Sequence, residues 1–203
     1  MAFTPSKAVL ITGCSTGIGR ATALRLAKAG QTVYATARRL DSIRDLQAAG
    51  CRTLALDVCD EESMKAAVNE VESREGAVGV LINNAGYGSD GAFEEVPMEE
   101  VRRQFETNVF GLIRMTQLVL PSMRDQRFGR ILNVSSMGGR MTLPGGGFYH
   151  ATKYAVEALS DALRFEVAGF GIDVVIIEPG LIKTEFGPTA IAKVAAASKP
   201  GSP

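Results

Sequence analysis

Tyr149 and Lys153 stand four residues apart, a spacing that on an α-helix puts both side chains on one face, where they can meet a common ligand. A free phenol titrates at ~10 and is a poor base at neutral pH, but a neighbouring ammonium favours the phenolate. Such a pair could exchange a proton with a substrate hydroxyl or carbonyl, with the tyrosine as the acid in a reduction. Of the four tyrosines only Tyr149 has a lysine four places on; the pair alone is a weak motif, expected by chance in roughly one chain of three. A second chemically suggestive segment is Thr12-Gly13-Cys14-Ser15-Thr16-Gly17-Ile18-Gly19. It joins an apolar, β-branched run to a helical pattern, and a glycine-rich turn at a helix start is an anion cradle of backbone N–H groups.

The elements that must position these groups alternate along the chain. Strand-like runs occur at residues 8–12, 32–36, 52–57, 78–82, 130–134 and 172–177. Helical patterns lie between them, several stopping on a glycine suited to a left-handed cap: Gly30, Gly50, Gly76 and Gly171. Continuous apolar strands separated by helix-length crossovers predict an α/β fold, a doubly wound parallel Rossmann sheet covered on both faces. The acidic stretch 60–63 reads as a helix opening, where carboxylates offset the positive end of the dipole.

In that context Gly13 and Gly17 would permit the turn and close ligand approach, and Gly19 would let the following helix pack tightly. The spacing is G-x-x-x-G-x-G and lacks the lysine of a P-loop. Residues 13–17 also match the G-x-S-x-G nucleophile elbow of α/β-hydrolases, but the only histidine, His150, has no carboxylate paired to it by sequence. The second strand should end at Arg38-Arg39, about 19 residues past Gly19, where an acid would bind the ribose of NAD. Two arginines stand there instead. Either could pair with an adenosine 2′-phosphate, so NADP(H) is favoured, while the nearby Asp41 keeps NAD(H) open.

With the motifs that follow, the chain resembles the short-chain dehydrogenase/reductase family. These motifs are Asn83-Asn84-Ala85-Gly86 after the fourth strand, Asn108 inside a long helix, Ser136 thirteen residues before Tyr149, Tyr149-His150-Ala151-Thr152-Lys153, and Pro179-Gly180 with Thr184. Residues 33–36 and 178–186 look most like its 17β-hydroxysteroid and retinol dehydrogenase-like members. The resemblance implies hydride transfer between a nicotinamide and a carbonyl or secondary alcohol. It makes Tyr149 the acid/base, Lys153 its charge partner, Ser136 the substrate hydrogen-bond donor with Ser135 as neighbouring candidate, and Asn108 the holder of a backbone-bound water. It implies cofactor contacts from Gly13, Ser15, Thr16, Gly17, Ile18, Gly19, Arg38, Arg39, Asp57, Val58, Asn84, Ala85, Gly86, Tyr149, Lys153, Pro179, Gly180 and Thr184. For Asp57 and Asn84 a loop-forming role is the alternative, and for Thr184 a helix cap. A non-catalytic NADP(H)-binding sensor or assembly module is the rival reading.

Composition bounds what else the chain could be. The 203 residues carry 22 basic and 22 acidic side chains, net zero, which argues against a nucleic-acid surface. With 46% hydrophobic and 22% charged residues the chain reads as globular. Three cysteines without C-x-x-C spacing suggest neither a disulfide framework nor a metal site, and a cytoplasmic setting. No run approaches the length of a membrane span. The 22 glycines, about 11%, exceed the usual ~7%. Met137, Met141, Leu143 and Phe148 suggest a hydrophobic substrate, unless they only pack the core. Residues 1–189 read as one dinucleotide-binding domain and 190–203 as a frayed or truncated tail. The resemblance adds that relatives continue into a substrate-covering loop, a further helix and a seventh strand, so the site is either truncated here or unusually open. The long helical patterns from Met98 to Gln126 and from His150 to Gly169 would, by the same resemblance, pair in a homodimer or homotetramer.

Overall fold

The computed structural model describes residues 4–182. Six strands form one sheet: β1 (Val9–Ile11), β2 (Val33–Ala37), β3 (Arg52–Ala55), β4 (Val80–Asn83), β5 (Gly129–Val134) and β6 (Ile172–Ile177). Their order is β3-β2-β1-β4-β5-β6 with every neighbouring pair parallel. The chain winds outward from β1 in one direction and from β4 in the other. The order therefore reverses between β1 and β4, and the crevice beyond their C-terminal ends is where open α/β sheets bind ligands.

The register explains why the strands read as unbroken apolar runs. Leu10, Leu81 and Ile131 are successive partners and share a core with Val68 and Val71 of α2 (Glu61–Glu75) and Met115 and Val119 of α4 (Gly111–Asp125). Val9, Ile11, Val33, Ala35 and Ile82 fill the opposite face with Ala23 of α1 (Gly17–Lys28). Both faces are covered, as the sequence led one to expect. A buried polar rung crosses this core: Asn83 Nδ2 donates to Thr116 Oγ1 (3.1 Å) and to Asn133 Oδ1 (3.0 Å), and Asn133 Nδ2 donates to Ser160 Oγ (2.8 Å). It ties β4 and β5 to α4 and to α5 (Gly147–Val167).

The acidic stretch opens α2 as expected. Asp60 is its N-cap, accepting from the backbone N–H groups of Glu62 and Ser63. Asp60→Ala is expected to lower stability by about 1 kcal/mol, since it strips the cap from two N–H groups; an unchanged urea midpoint would contradict this role.

Two helical expectations need correction. The pattern ending at Gly50 forms two short 3-10 stretches, Leu40–Ser42 and Arg44–Ala49, not an α-helix. Ile43 interrupts them with φ −129° and ψ 7°, outside the helical region, and Ser42 Oγ donates back to Arg39 O (2.6 Å), competing with the helical ladder. The long pattern 98–126 is broken as well: α3 (Met98–Phe105) passes through a π turn, Glu106–Phe110, before α4 begins. Among the described residues no helix is long and apolar enough to cross a membrane.

Candidate active site

The loop after β1 is held by its neighbours on both sides. Cys14 N donates to Thr36 O of β2 (2.7 Å) and Thr12 N to Ile82 O of β4 (3.0 Å). Thr12 Oγ1 accepts from Asn84 N (3.0 Å) and Ala85 N (2.9 Å), while Asn84 Nδ2 donates to Thr12 O (2.9 Å) and Gly13 O (3.0 Å). Thr12 is thus a knot between the β1 and β4 loops that nothing in its sequence context announced. Asn84 braces the glycine loop with its amide. Gly13 has φ +73°, and a Cβ there would stand 2.8 Å from Ala85 Cα. At Gly19 a Cβ would come within 2.6 Å of Gly13 O, closer than real Cβ atoms come. The tight packing expected of Gly19 is therefore against the loop and Asn84.

The resulting cradle suits an anion. Thr16, at the N-cap of α1, is extended and makes no side-chain cap bond, and the first turn carries no acidic residue. Ser15 and Thr16 are exposed, and Ile18 is half-buried. An open pocket of ≈ 390 Å³ continues from Ser15 past Ala37 to Arg38, Arg39 and Ser42. Asp41 turns to Arg44 (2.5 Å), in an ion pair that leaves both groups largely exposed. These residues fit a dinucleotide: backbone N–H groups for a pyrophosphate, arginines for a further phosphate.

Other expected contacts divide. Gly86 is exposed, and Ala85 packs against the core. Asp57 Oδ1 accepts from Cys59 N (3.0 Å), a loop-forming bond. Val58 is 7% exposed and its side chain packs in the core. Pro179 O accepts from Met137 N (2.9 Å), joining the β5 and β6 ends, and Gly180 is exposed. Thr184 and the tail 190–203 lie outside the described residues. Cys14 is fully buried, which pushes its thiol up to about 12 and suits a small packing residue.

The chemistry-bearing side chains converge at the C-terminal end of β5. Ser136 caps the 3-10 turn Met137–Gly139, its Oγ accepting from Gly138 N (3.0 Å), and it hydrogen-bonds the Tyr149 hydroxyl. Tyr149 and Lys153 rise from one face of α5, with Nζ 5.8 Å from the phenol ring centroid. Lys153, 6% exposed, donates to Val134 O (2.8 Å). Ser135, the neighbouring candidate, is 3% exposed and its Oγ has no partner there. Asn108 sits in the π turn, 2% exposed; its Nδ2 donates to Tyr87 O (2.8 Å) and Thr152 Oγ1 (3.1 Å), and its Oδ1 accepts from Tyr87 N (3.0 Å). Its side chain is committed to these groups, so a water relay there would rest on its backbone. π turns of this kind recur at functional sites.

The electrostatics revise one expectation. Burial raises the Tyr149 phenol above its ordinary value; the Ser136 bond opposes the rise and the Asp90 carboxylate adds to it. Burial likewise pushes Lys153 down to about 8, against the upward pull of Glu157 one turn along α5. Desolvation is the largest cause at both groups. In this geometry the phenol is protonated at neutral pH, the form required of an acid.

The hydrolase alternative fails on the same geometry. Both nitrogens of His150 are engaged by backbone groups, Gly138 O (3.0 Å) and Leu143 N (3.1 Å), on the segment after β5. His150 is therefore not free to serve as a base for Ser15.

Before and at the start of α5 a pocket of ≈ 410 Å³ is lined by Phe93, Leu143, Pro144 and Phe148 among others. Phe93 is 80% exposed and stacks on Phe148 at 4.8 Å. Sequence reading picked out Leu143 and Phe148 but missed Phe93, which lies in a loop without periodicity.

Known proteins resemble this chain in sequence and in fold. A 3-ketodihydrosphingosine reductase from Bacteroides thetaiotaomicron is 44% identical over 178 residues, 88% of this chain and 65% of that protein. The chain thus spans just under two thirds of that relative's length. The crystal structure of a short-chain dehydrogenase from Streptomyces avermitilis superposes with a TM-score of 0.86 at 40% identity, covering 96% of this chain and 79% of that one. Serine dehydrogenase complexed with NADP+ gives 0.88 at 30% identity, covering 93% and 78%. NAD+-bound xylitol dehydrogenase gives 0.82 at 32%, covering 87% and 70%. The family model described as short chain dehydrogenase matches residues 7–194, so the chain belongs to the short-chain dehydrogenase family.

Proposed function

We propose that this chain is an NADP(H)-preferring oxidoreductase acting on a carbonyl or secondary alcohol of a hydrophobic substrate. The observation that carries the reading is the convergence of Ser136, Tyr149 and Lys153 at the C-terminal end of β5, with the glycine loop at the corresponding end of β1. When bound, the nicotinamide supplies or accepts the hydride. Tyr149, protonated, gives its proton to the substrate oxygen as that oxygen gains charge. Ser136 donates a hydrogen bond to the same atom. The Lys153 ammonium offsets the phenolate left behind, and Asn108 holds the chain around Tyr87 and Thr152 in the shape this needs.

Three features support the finer points. The arginine-lined pocket beside Ser15, with Asp41 paired away to Arg44, favours a 2′-phosphate. The Phe93–Phe148 stack and exposed Met141 and Leu143 favour an apolar substrate. The three thiols are unpaired, consistent with the reducing cytoplasm. Tyr154, Ala158 and Phe165 form an exposed stripe at helical spacing on α5, which supports pairing into a homodimer or homotetramer.

The test is NADPH-dependent reduction of a carbonyl panel headed by long-chain ketones such as 3-ketodihydrosphingosine. Binding of NADPH with no turnover across the panel would leave a sensor and overturn the enzyme reading. For the cofactor, Arg38→Ala is expected to weaken NADPH binding about 10- to 100-fold, the worth of one charge-assisted hydrogen bond. NADH binding should barely move in the same fluorescence titration, and equal losses for both would refute the phosphate reading.

A further inference from the structure

His150 is the chain's only histidine, 7% exposed, in the first turn of α5 next to Tyr149. A carbonyl has no hydrogen to give, so the nitrogen 3.0 Å from Gly138 O, Nδ1, must carry the proton. A backbone N–H can only donate, so Nε2, 3.1 Å from Leu143 N, must present its lone pair. Two backbone groups on the segment between β5 and α5 therefore impose one neutral tautomer on the ring.

The surroundings are shaped for this ring. A Cβ on Gly138 would stand 2.5 Å from Nδ1 and one on Gly146 would stand 2.7 Å from Nε2, so side chains at either position would displace it. Gly146 O accepts the backbone N–H of His150 (2.9 Å), closing the same loop. The titratable groups facing the ring are Tyr149, with ring centroids 5.8 Å apart, and Asp90 from the loop after β4. Gly138, held by Nδ1, donates in turn to Ser136 Oγ, which meets Tyr149. Leu143, held by Nε2, lines the apolar pocket.

We propose that His150 is a positioning residue with two separable holds: Nδ1 sets Ser136 against Tyr149 through Gly138, and Nε2 fastens the pocket-lining stretch 142–147 through Leu143. The inference rests on the roles proposed above for Ser136 and Tyr149. Nδ1 governs the chemical step and Nε2 governs substrate binding.

Because the histidine is unique, imidazole nitrogen NMR of the untagged full chain in alkaline buffer shows a single ring. The expected spectrum has Nδ1 protonated and Nε2 unprotonated, with the Leu143 amide exchanging more slowly than the exposed amides beside it. Kinetics then separate the holds. In His150→Asn the short amide still reaches Gly138 O but not Leu143 N, so KM should rise on the order of tenfold with kcat nearly kept. In His150→Gln the longer side chain can accept from Leu143 N but gives up Gly138 O, so kcat should fall by a similar factor with KM nearly kept. A ring protonated on Nε2, fast exchange at Leu143, or identical kinetic changes in the two variants would overturn the proposal. A wild-type chain without turnover would defeat the enzyme reading instead, and the spectrum and the amide exchange would still decide whether the holds exist.

Discussion

Tyr149→Phe is expected to cut carbonyl reduction by roughly 10²–10⁴-fold, the usual worth of one positioned general acid. The change removes only the hydroxyl. The ring keeps its place beside His150 and above Lys153, so folding and NADPH binding should be close to wild type. What is lost is the proton for the substrate oxygen and the bond that aims the Ser136 hydroxyl. Because Ser136 keeps its bond from Gly138 N, it should stay in place without the Tyr149 bond. The loss should therefore appear in kcat and kcat/KM together, the mark of an interaction made in the transition state. Following nicotinamide absorbance with each variant measures this directly. A phenylalanine variant that retained most of its activity would remove Tyr149 from the mechanism.

Much of this site was legible because its parts repeat local signals. The strands announce themselves as apolar runs because both faces are buried, and the helix before β2 ends where expected, on Gly30, with φ +79°. Tyr149 and Lys153 stand one turn apart on α5, so their meeting follows from helical geometry, whereas Ser136 reaches them from the turn after β5. Contacts between distant segments were not legible. The Thr12 hydroxyl gains its meaning only when residues 84 and 85 arrive over it. The π turn at Asn108 has no periodicity of its own, being one residue's slip in an otherwise regular helical pattern. Likewise the rise of the Tyr149 phenol could not be read from an i, i+4 pair, because it comes from burial by segments that the pair does not contain.

That burial also predicts a pH dependence whose sign separates Lys153 from Tyr149. With Lys153 at about 8 and the phenol above its ordinary value, the ammonium is the first of the two to lose its proton as pH rises. Reduction should hold steady through neutrality and fall above about pH 8, approaching tenfold per pH unit, as the charge that offsets the developing phenolate disappears. Lys153→Arg places an always-charged group there and should remove this limb from whatever activity the bulkier side chain leaves. Stability should move the opposite way. The folded-state value is depressed, so between about 8 and the unfolded lysine value of ~10.4 the unfolded chain holds more protons. The cost of burying the ammonium is present in full below about 8 and is relieved as pH rises, adding at most about 1.4 kcal/mol of stability per pH unit from this one group. Urea unfolding of wild type and Lys153→Met across that window reads this single contribution by difference. An alkaline fall in rate with no relative gain in wild-type stability would assign the limb to another group and leave the Lys153 charge without its role.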